Sequence, residues 1–108
     1  MKRIAVMVTD LFEDSEYTRP VEAFQAAGHT VVNIGLMAGA TARGKKKQTP
    51  VIIDQAIRDV SVNDFDALLI PGGFSPDQLR VDEEAVNFVK QFVEDNKPVF
   101  SICAAGAQ

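Results

Sequence analysis

The stretch Pro98-Val99-Phe100-Ser101-Ile102-Cys103-Ala104-Ala105-Gly106 combines a strand pattern with a tight turn. Val99, Phe100 and Ile102 favour a β-strand, and a proline such as Pro98 can stand at the start of one. The only cysteine of the chain follows, and small residues able to make a sharp turn come after it. This order is typical of the strand-turn-helix elbow that presents a nucleophilic side chain above a parallel sheet. We therefore expect a buried strand that leads to Cys103.

The composition is that of one ordinary globular domain. The chain has 108 residues, of which 46% are hydrophobic and 24% charged. Its formal net charge of −4 argues against nucleic acid and anionic membranes as partners. A single cysteine excludes an intrachain disulfide, and no apolar run approaches membrane-spanning length. These features predict a cytoplasmic enzyme or binding domain.

The first third of the chain has the pattern of a β-α-β unit. Residues 4–8 form a continuous apolar run, which predicts a strand covered on both faces. A helix is predicted from about Ser15 to Ala27, with Pro20 at the first position of its main part and Gly28 as its stop signal. Residues 30–34 read as the second strand. Such strands should be parallel, with a right-handed crossover.

The remainder continues the alternation of strands and helices. The predicted elements are a hairpin or loop over residues 36–50, a strand over 51–53, a helical turn after Ser61, a strand over 67–70, a short helix over 75–80 and a helix opened by Asp82. The last helix carries its apolar residues at helical spacing and ends at Asn96; they are Ala85, Phe88, Val89, Phe92 and Val93. This rhythm predicts a three-layer α/β/α sandwich with a mostly parallel sheet.

Three loops leave the carboxyl ends of the predicted strands, at residues 9–14, 71–76 and from Cys103 onward. Ligands of open α/β sheets bind at this edge, so the three loops should converge. They would bring together a carboxylate, glycine N–H groups and a thiol, which is the set needed for attack on a carbonyl group. The candidates are Asp10, Glu13 or Asp14 for the carboxylate, Gly72 and Gly73 for the N–H groups, and Cys103 for the thiol.

Two further features of the sequence are candidates for a functional role. The basic run of residues 45–47 could contact phosphate, but a solvated turn is the better interpretation because no aromatic residue is interleaved. His29 is the only histidine, and its place before the second strand puts it at the opposite sheet edge from Cys103. No cluster has metal-ligand spacing, so neither a metal nor a cofactor is expected.

Three motifs together resemble the ThiJ/PfpI superfamily, in its PfpI-type branch of intracellular proteases and general stress proteins. They are Phe12-Glu13-Asp14-Ser15-Glu16-Tyr17, the run of residues 65–77 centred on Pro71-Gly72-Gly73, and residues 97–103 ending in Cys103. The resemblance runs from Met1 to Cys103 and implies a flavodoxin-like fold, of the class I glutamine amidotransferase type, over residues 1–108. It also implies that Cys103 is the nucleophile and that Glu13 contacts the elbow and serves as the acid/base. Gly73 and Ala104 would donate the oxyanion-hole N–H groups, with Gly72 as a secondary candidate.

The sequence departs from the family pattern at two points. The branch usually has a histidine directly after the cysteine, where this chain has Ala104. The family domain is also longer, continuing with the elbow helix and further strands. The resemblance therefore implies a single domain that is incomplete at its C-terminal end, truncated after the nucleophile elbow.

The function that the resemblance implies is cysteine-dependent chemistry on reactive carbonyls, of the glyoxalase III or deglycase kind, in a stress response. One alternative is a PfpI-type intracellular cysteine peptidase or amidase, a hydrolase that normally relies on the missing histidine. Another is a non-catalytic redox-sensing or chaperone-like domain in which Cys103 is oxidised. The expected partners are a small carbonyl or peptide substrate and further copies of the chain, since PfpI-like proteins form homo-oligomers.

Overall fold

Five parallel strands form the central sheet of the protein. The computed structural model describes residues 2–8, 10, 12–44, 50–72 and 82–101. In chain order the strands and helices are β1 (Arg3–Met7), α1 (Asp14–Ala26), β2 (Thr30–Gly35), β3 (Thr41–Arg43), β4 (Pro50–Ile52), β5 (Gln55–Ala56), β6 (Ala67–Ile70), α2 (Glu83–Glu94) and β7 (Val99–Ser101). Two short 3₁₀ turns, Ile57–Asp59 and Val62–Asp64, lie between β5 and β6.

The strand order of the sheet is β5-β2-β1-β6-β7. Ala5 in β1 lies opposite Val32 in β2 on one side and opposite Leu68 in β6 on the other. The chain thus steps from β1 in one direction to β2 and later returns to the other side as β6. This reversal at β1 creates a topological switch point, where ligands bind beyond the carboxyl ends of the strands. The predicted α/β sandwich with a mostly parallel sheet is confirmed.

Helices and turns cover the two faces of the sheet with separate hydrophobic clusters. On one face α2 and the 3₁₀ turns pack against the strands, with a core that includes Ala5, Met7, Ile34, Leu68, Phe88 and Phe92. On the other face α1 and the β3–β4 pair pack against Val6, Val8 and Leu69. Alternate residues of β1 therefore face opposite cores, as the continuous apolar run of a doubly covered strand requires.

A hairpin, one of the two alternatives predicted for residues 36–50, is present, and its second strand extends beyond that range to Ile52. Strands β3 and β4 pair antiparallel, with Ala42 opposite Val51. The following strand, β5, was not predicted from the sequence; it is two residues long and pairs in parallel with the end of β2. The hairpin lies on the α1 side of the sheet, where Ala42, Val51 and Ile53 join the core.

The predicted capping signals are confirmed. The Ser61 hydroxyl accepts the Asn63 N–H, and the Asp64 carboxylate accepts the Ser61 N–H, so the two residues form a capping box around one 3₁₀ turn. Asp82 caps α2 by accepting the Ala85 N–H at 2.9 Å. Asn96 ends that helix in the left-handed region with φ of 59°, and Gly28 ends α1 with φ of 87°.

Two expectations about individual elements, on Pro20 and on the last strand, were wrong, and one apolar residue of α2 faces solvent. The helix predicted from about Ser15 begins at Asp14 and runs continuously through Pro20, so the proline does not open a separate main part. Val93 is 62% exposed, because the α2 stripe that meets the sheet is the narrower one of Ala85, Phe88 and Phe92. The strand expected to be buried is only partly covered: in β7, Phe100 is 46% exposed, since β6 is the only described strand that pairs with it.

The short helix predicted over residues 75–80 lies outside the described residues. Within the described part of the chain, no helix has the length and apolar character needed to cross a membrane.

Candidate active site

The candidate site lies at the switch point, beyond the carboxyl ends of β1 and β6. These two strands are direct neighbours, with Val6 opposite Leu69. The chain that leaves β1 leads through Phe12 into α1, and the chain that leaves β6 continues as Pro71-Gly72. Two of the three loops predicted to converge therefore meet at one edge of the sheet.

Gly72 is bound to the start of α1 by both of its backbone polar groups. Its carbonyl oxygen accepts the Glu13 N–H at 3.0 Å. Its own N–H donates to Oε1 of Glu16 at 2.9 Å, across 56 residues of sequence. Hydrogen bonds to a carboxylate are stronger than those between neutral groups, so Glu16 is a firm anchor for this loop. The two bonds set the position of the β6 exit relative to the first turn of α1.

Glu13, the residue predicted to contact the elbow, occupies the N-cap position of α1. Its backbone is extended, with φ of −78° and ψ of 114°, and its side chain makes no capping hydrogen bond. The half-buried residue reaches Gly72 through its backbone N–H. Its predicted role toward Cys103 stays a prediction.

Glu16 is the carboxylate that the sequence interpretation did not assign. It is half-buried and follows Glu13 by three residues, one turn further along α1. Side chains at the third helical position lean back toward the helix start, which brings the Glu16 carboxylate to the Gly72 loop. The signal available in the sequence was this spacing, since residues three apart lie on the same face of a helix.

The other two candidate carboxylates attach the hairpin to the loop after β1. Oδ1 of Asp10 accepts the Arg43 N–H at 2.8 Å. Asp14 is buried, and its carboxylate lies directly against Gly44, which forms an isolated bridge with Phe12. Asp10 and Asp14 therefore both contact the β3–β4 hairpin.

Cys103, Gly73 and Ala104 lie outside the described residues, so their predicted roles as nucleophile and oxyanion donors stay predictions. The described chain leads to them from two neighbouring strands. Ile70 in β6 lies opposite Ser101 in β7. Gly72 and Cys103 each follow one of these paired residues by two positions in the sequence.

His29 lies at the opposite edge of the sheet, as predicted. It directly precedes β2, and its Nδ1 accepts the Lys2 N–H at 3.1 Å at the amino end of β1. Among the described residues, no group of three or more histidine, cysteine, aspartate or glutamate side chains could hold a metal ion.

A doubly covered parallel sheet with polar groups gathered at its switch point defines the flavodoxin-like class of α/β proteins. The sequence profile of the DJ-1/PfpI family matches residues 2–108. The chain belongs to the DJ-1/PfpI family, which confirms the resemblance to ThiJ/PfpI proteins.

Three curated relatives are similar over 102 residues, or 94% of the chain. They are "Putative cysteine protease YraA" of Bacillus subtilis, 60% identical, "General stress protein 18" of the same organism, 56% identical, and "Protein/nucleic acid deglycase 2" of Escherichia coli, 53% identical. The matched region covers 60%, 59% and 59% of these proteins, respectively. The chain thus spans about three fifths of the length of the relatives it matches.

A solved structure from Anabaena variabilis has the same fold. It is a two-domain protein containing DJ-1/ThiJ/PfpI-like and ferritin-like domains, and it superposes with a TM-score of 0.92 at 30% sequence identity. The alignment covers 95% of this chain and 30% of that protein. The likeness supports the flavodoxin-like assignment for the described sheet and helices.

Proposed function

We propose that the protein is a cysteine-dependent stress enzyme that acts on reactive carbonyl compounds, in the manner of a glyoxalase or a deglycase. The observation that carries the proposal is the double attachment of Gly72 to Glu13 and Glu16. It joins carboxylate-bearing residues to the loop that leads to Gly73, next to the strand that leads to Cys103. A relative named as a protein/nucleic acid deglycase, 53% identical, supports the same chemistry.

The chemistry begins with addition of the Cys103 sulfur to an aldehyde carbon. A C–S bond forms, the π electrons of the carbonyl move to oxygen, and backbone N–H groups of Gly73 and Ala104 stabilise the oxyanion before it is protonated. With a 2-oxoaldehyde, a carboxylate then takes the proton from the same carbon and returns it to the neighbouring one. The resulting thioester is hydrolysed to a 2-hydroxy acid, so the overall reaction adds one water and needs no external oxidant or reductant.

The contact that Glu16 makes supports it as the proton-transferring carboxylate. Its Oε1 accepts the Gly72 N–H at 2.9 Å, so the side chain itself reaches the loop that leads to Gly73. A proton-transferring group must come within hydrogen-bonding reach of the reacting atoms, and a carboxylate at this loop is suitably placed for that. The resemblance assigned this role to Glu13, so the two residues are competing candidates.

A matched pair of variants tests the proposal. Glu13→Gln and Glu16→Gln each keep the shape of the side chain and remove its capacity to exchange a proton at neutral pH. We expect Glu16→Gln to lower methylglyoxal turnover about 10²- to 10⁴-fold, the usual effect of losing a general acid–base group, and Glu13→Gln to lower it far less. The measurement is kcat and KM for methylglyoxal, with Cys103→Ser as the blank.

Two results would contradict this assignment. Methylglyoxal turnover that persists in Cys103→Ser would exclude Cys103 as the nucleophile. A larger loss of turnover in Glu13→Gln than in Glu16→Gln would return the acid–base role to Glu13. Circular dichroism of both glutamine variants controls for loss of the α1 start.

A cysteine peptidase is the second candidate, favoured by the 60% identity to the relative whose name describes a cysteine protease. Peptide hydrolysis requires protonation of a poor amine leaving group, a step in which a histidine contributes about 10²- to 10⁴-fold. Because Ala104 stands at that position, we expect methylglyoxal turnover to exceed peptidase activity. Ala104→His should raise peptidase activity while methylglyoxal turnover stays nearly constant. Equal activities without the histidine would contradict this ordering.

A further inference from the structure

A shallow cleft lies beside the candidate site, at the carboxyl ends of β1 and β2. Its floor consists of buried apolar side chains, those of Val8, Ala42 and Ile53. Leu36 and Met37 line its rim and are exposed, Met37 to 65%. An exposed methionine above an apolar floor offers an adaptable surface for an aliphatic chain.

Among the described residues that line this cleft, Asp10 carries the only formal charge. Its Oδ1 is held by the Arg43 N–H at 2.8 Å, and the residue is exposed. A carboxylate has about four lone-pair positions, so this single bond leaves capacity for a cationic donor. The cleft thus combines apolar walls with an anchored negative charge.

We infer that this cleft binds the side chain of a lysine or arginine in a peptide substrate, an inference that rests on the proposed carbonyl chemistry. The methylene stem of such a side chain would pack on Leu36 and Met37, while its cationic end would pair with Asp10. Charge complementarity favours this occupant, because a cationic end would pair with the Asp10 carboxylate whereas an acidic side chain would be repelled.

The position of the cleft indicates what it recognises. It lies on the β2 side of β1, whereas the Gly72 loop lies on the β6 side. A residue held in the cleft is therefore a neighbour of the modified residue in a peptide, not the group that reacts. A free dicarbonyl is too small to occupy both places, so the cleft distinguishes glycated basic peptides from small carbonyl compounds.

The experiment measures peptide binding to Cys103→Ser, in which no turnover interferes. Two peptides carry the same methylglyoxal-modified arginine and differ at one neighbouring position, lysine in one and norleucine in the other. Norleucine keeps the lysine stem without the charge. We expect the lysine peptide to bind about two- to five-fold more tightly at low salt, the range of a solvent-exposed ion pair.

Asp66 provides a matched control for Asp10. Oδ2 of Asp66 accepts the Arg3 N–H at 2.8 Å, the same kind of bond, at the amino edge of the sheet. Asp10→Asn keeps the acceptor for the Arg43 N–H and removes the charge, and it should abolish the preference for lysine. Asp66→Asn removes the same charge and should leave the preference unchanged.

The apolar wall has a matched pair as well. Met37→Gln should weaken the binding of both peptides, whereas Ile52→Gln should not, since Ile52 is 55% exposed but does not line the cleft.

Equal affinity for the two peptides, or an equal effect of Asp10→Asn and Asp66→Asn on the preference for lysine, would overturn the inference. A sedimentation change in Met37→Gln without a change in peptide binding would overturn it in favour of a second copy of the chain. Because binding is measured without turnover, loss of the proposed enzymatic activity would not be mistaken for loss of this site.

Discussion

Asp14 is the only charged residue buried among the described residues. It stands at the first position of α1, where a negative charge is stabilised by the helix dipole. Its carboxylate lies against the backbone of Gly44, so the residue joins the helix start to the hairpin. A buried carboxylate is tolerated only where such contacts replace water.

The Asp14 contact leaves no room for a side chain at Gly44. A methyl group at Gly44 would overlap the Asp14 carboxylate. We expect Gly44→Ala to lower the free energy of unfolding by about 1 to 3 kcal/mol, the usual cost of overpacking. Urea unfolding of Gly44→Ala, of Asp14→Ala and of the double variant measures the coupling between the two residues. If the losses in the free energy of unfolding were strictly additive, the overlap would be relieved by movement of the hairpin.

At the scale of elements, α2 presents a narrow apolar stripe to the sheet. The rings of Phe88 and Phe92 pack in a tilted arrangement with centroids 5.1 Å apart, and Phe65 meets Phe88 edge-on at 6.2 Å. Lys97, just beyond the helix, donates from Nζ to the carbonyl oxygens of Val62 and Phe65, both at 2.8 Å. The helix is thus attached to the 3₁₀ region by both apolar and polar contacts.

Two adjacent residues of α2 allow a sharp test of this packing. Phe92 is completely buried, whereas Val93 is 62% exposed. Phe92→Ala should lower the free energy of unfolding by about 3 to 5 kcal/mol, while Val93→Ala should change it by less than about 0.5 kcal/mol. Thermal or urea unfolding distinguishes the two. A comparable loss in both variants would mean that the exposed face of α2 is covered in solution.

At the scale of the whole molecule, a polar network connects α1, β2 and the segment that follows the hairpin. The Tyr17 hydroxyl donates to Oδ1 of Asn33 at 2.9 Å. The Asn33 N–H donates to Oδ2 of Asp54 at 2.8 Å, and the Asp54 N–H returns to the Asn33 carbonyl oxygen at 2.8 Å. These bonds hold the first turns of α1, and hence Glu16, in register with the sheet.

Ionisation of the Tyr17 hydroxyl makes the stability of this network depend on pH. Burial raises the pKa of Tyr17 above its ordinary value of 10.0, and the charge of Asp54 raises it further, while the hydrogen bond to Asn33 lowers it. A pKa that is higher in the folded state means that stability is fully present below about pH 10 and is lost as the pH rises through the folded-state value.

We therefore expect wild-type protein to lose more stability than Tyr17→Phe above pH 10. Below that pH the wild type should be the more stable by about 0.5 to 1.5 kcal/mol, the net contribution of one hydrogen bond. Tyr17 is the only tyrosine in the chain, so tyrosinate absorbance reports its titration directly. A titration midpoint at or below 10 would contradict the prediction.

Local sequence patterns alone predict the type and order of most of the described elements and much of their capping, although β5 was missed. The apolar runs of β1 and β6, the spacing of Ala85, Phe88 and Phe92, and the cap at Asp82 are local patterns whose physical meaning does not depend on distant residues. Alternation of strands and helices then predicted a parallel sheet, and convergence of strand-end loops predicted where the site would lie.

Which side chains meet at this edge depends on contacts between distant parts of the chain. The bond between Glu16 and Gly72 spans 56 residues, and the Asp10 contact with Arg43 spans 33. No local pattern contains such pairs, so the sequence could not separate Glu13 and Glu16 or assign Asp10 to the hairpin. The exposure of Phe100 could not be predicted from the sequence either. The side chains of this segment indicate that it favours a strand, but burial of a strand depends on which other elements pack on its faces and beside it.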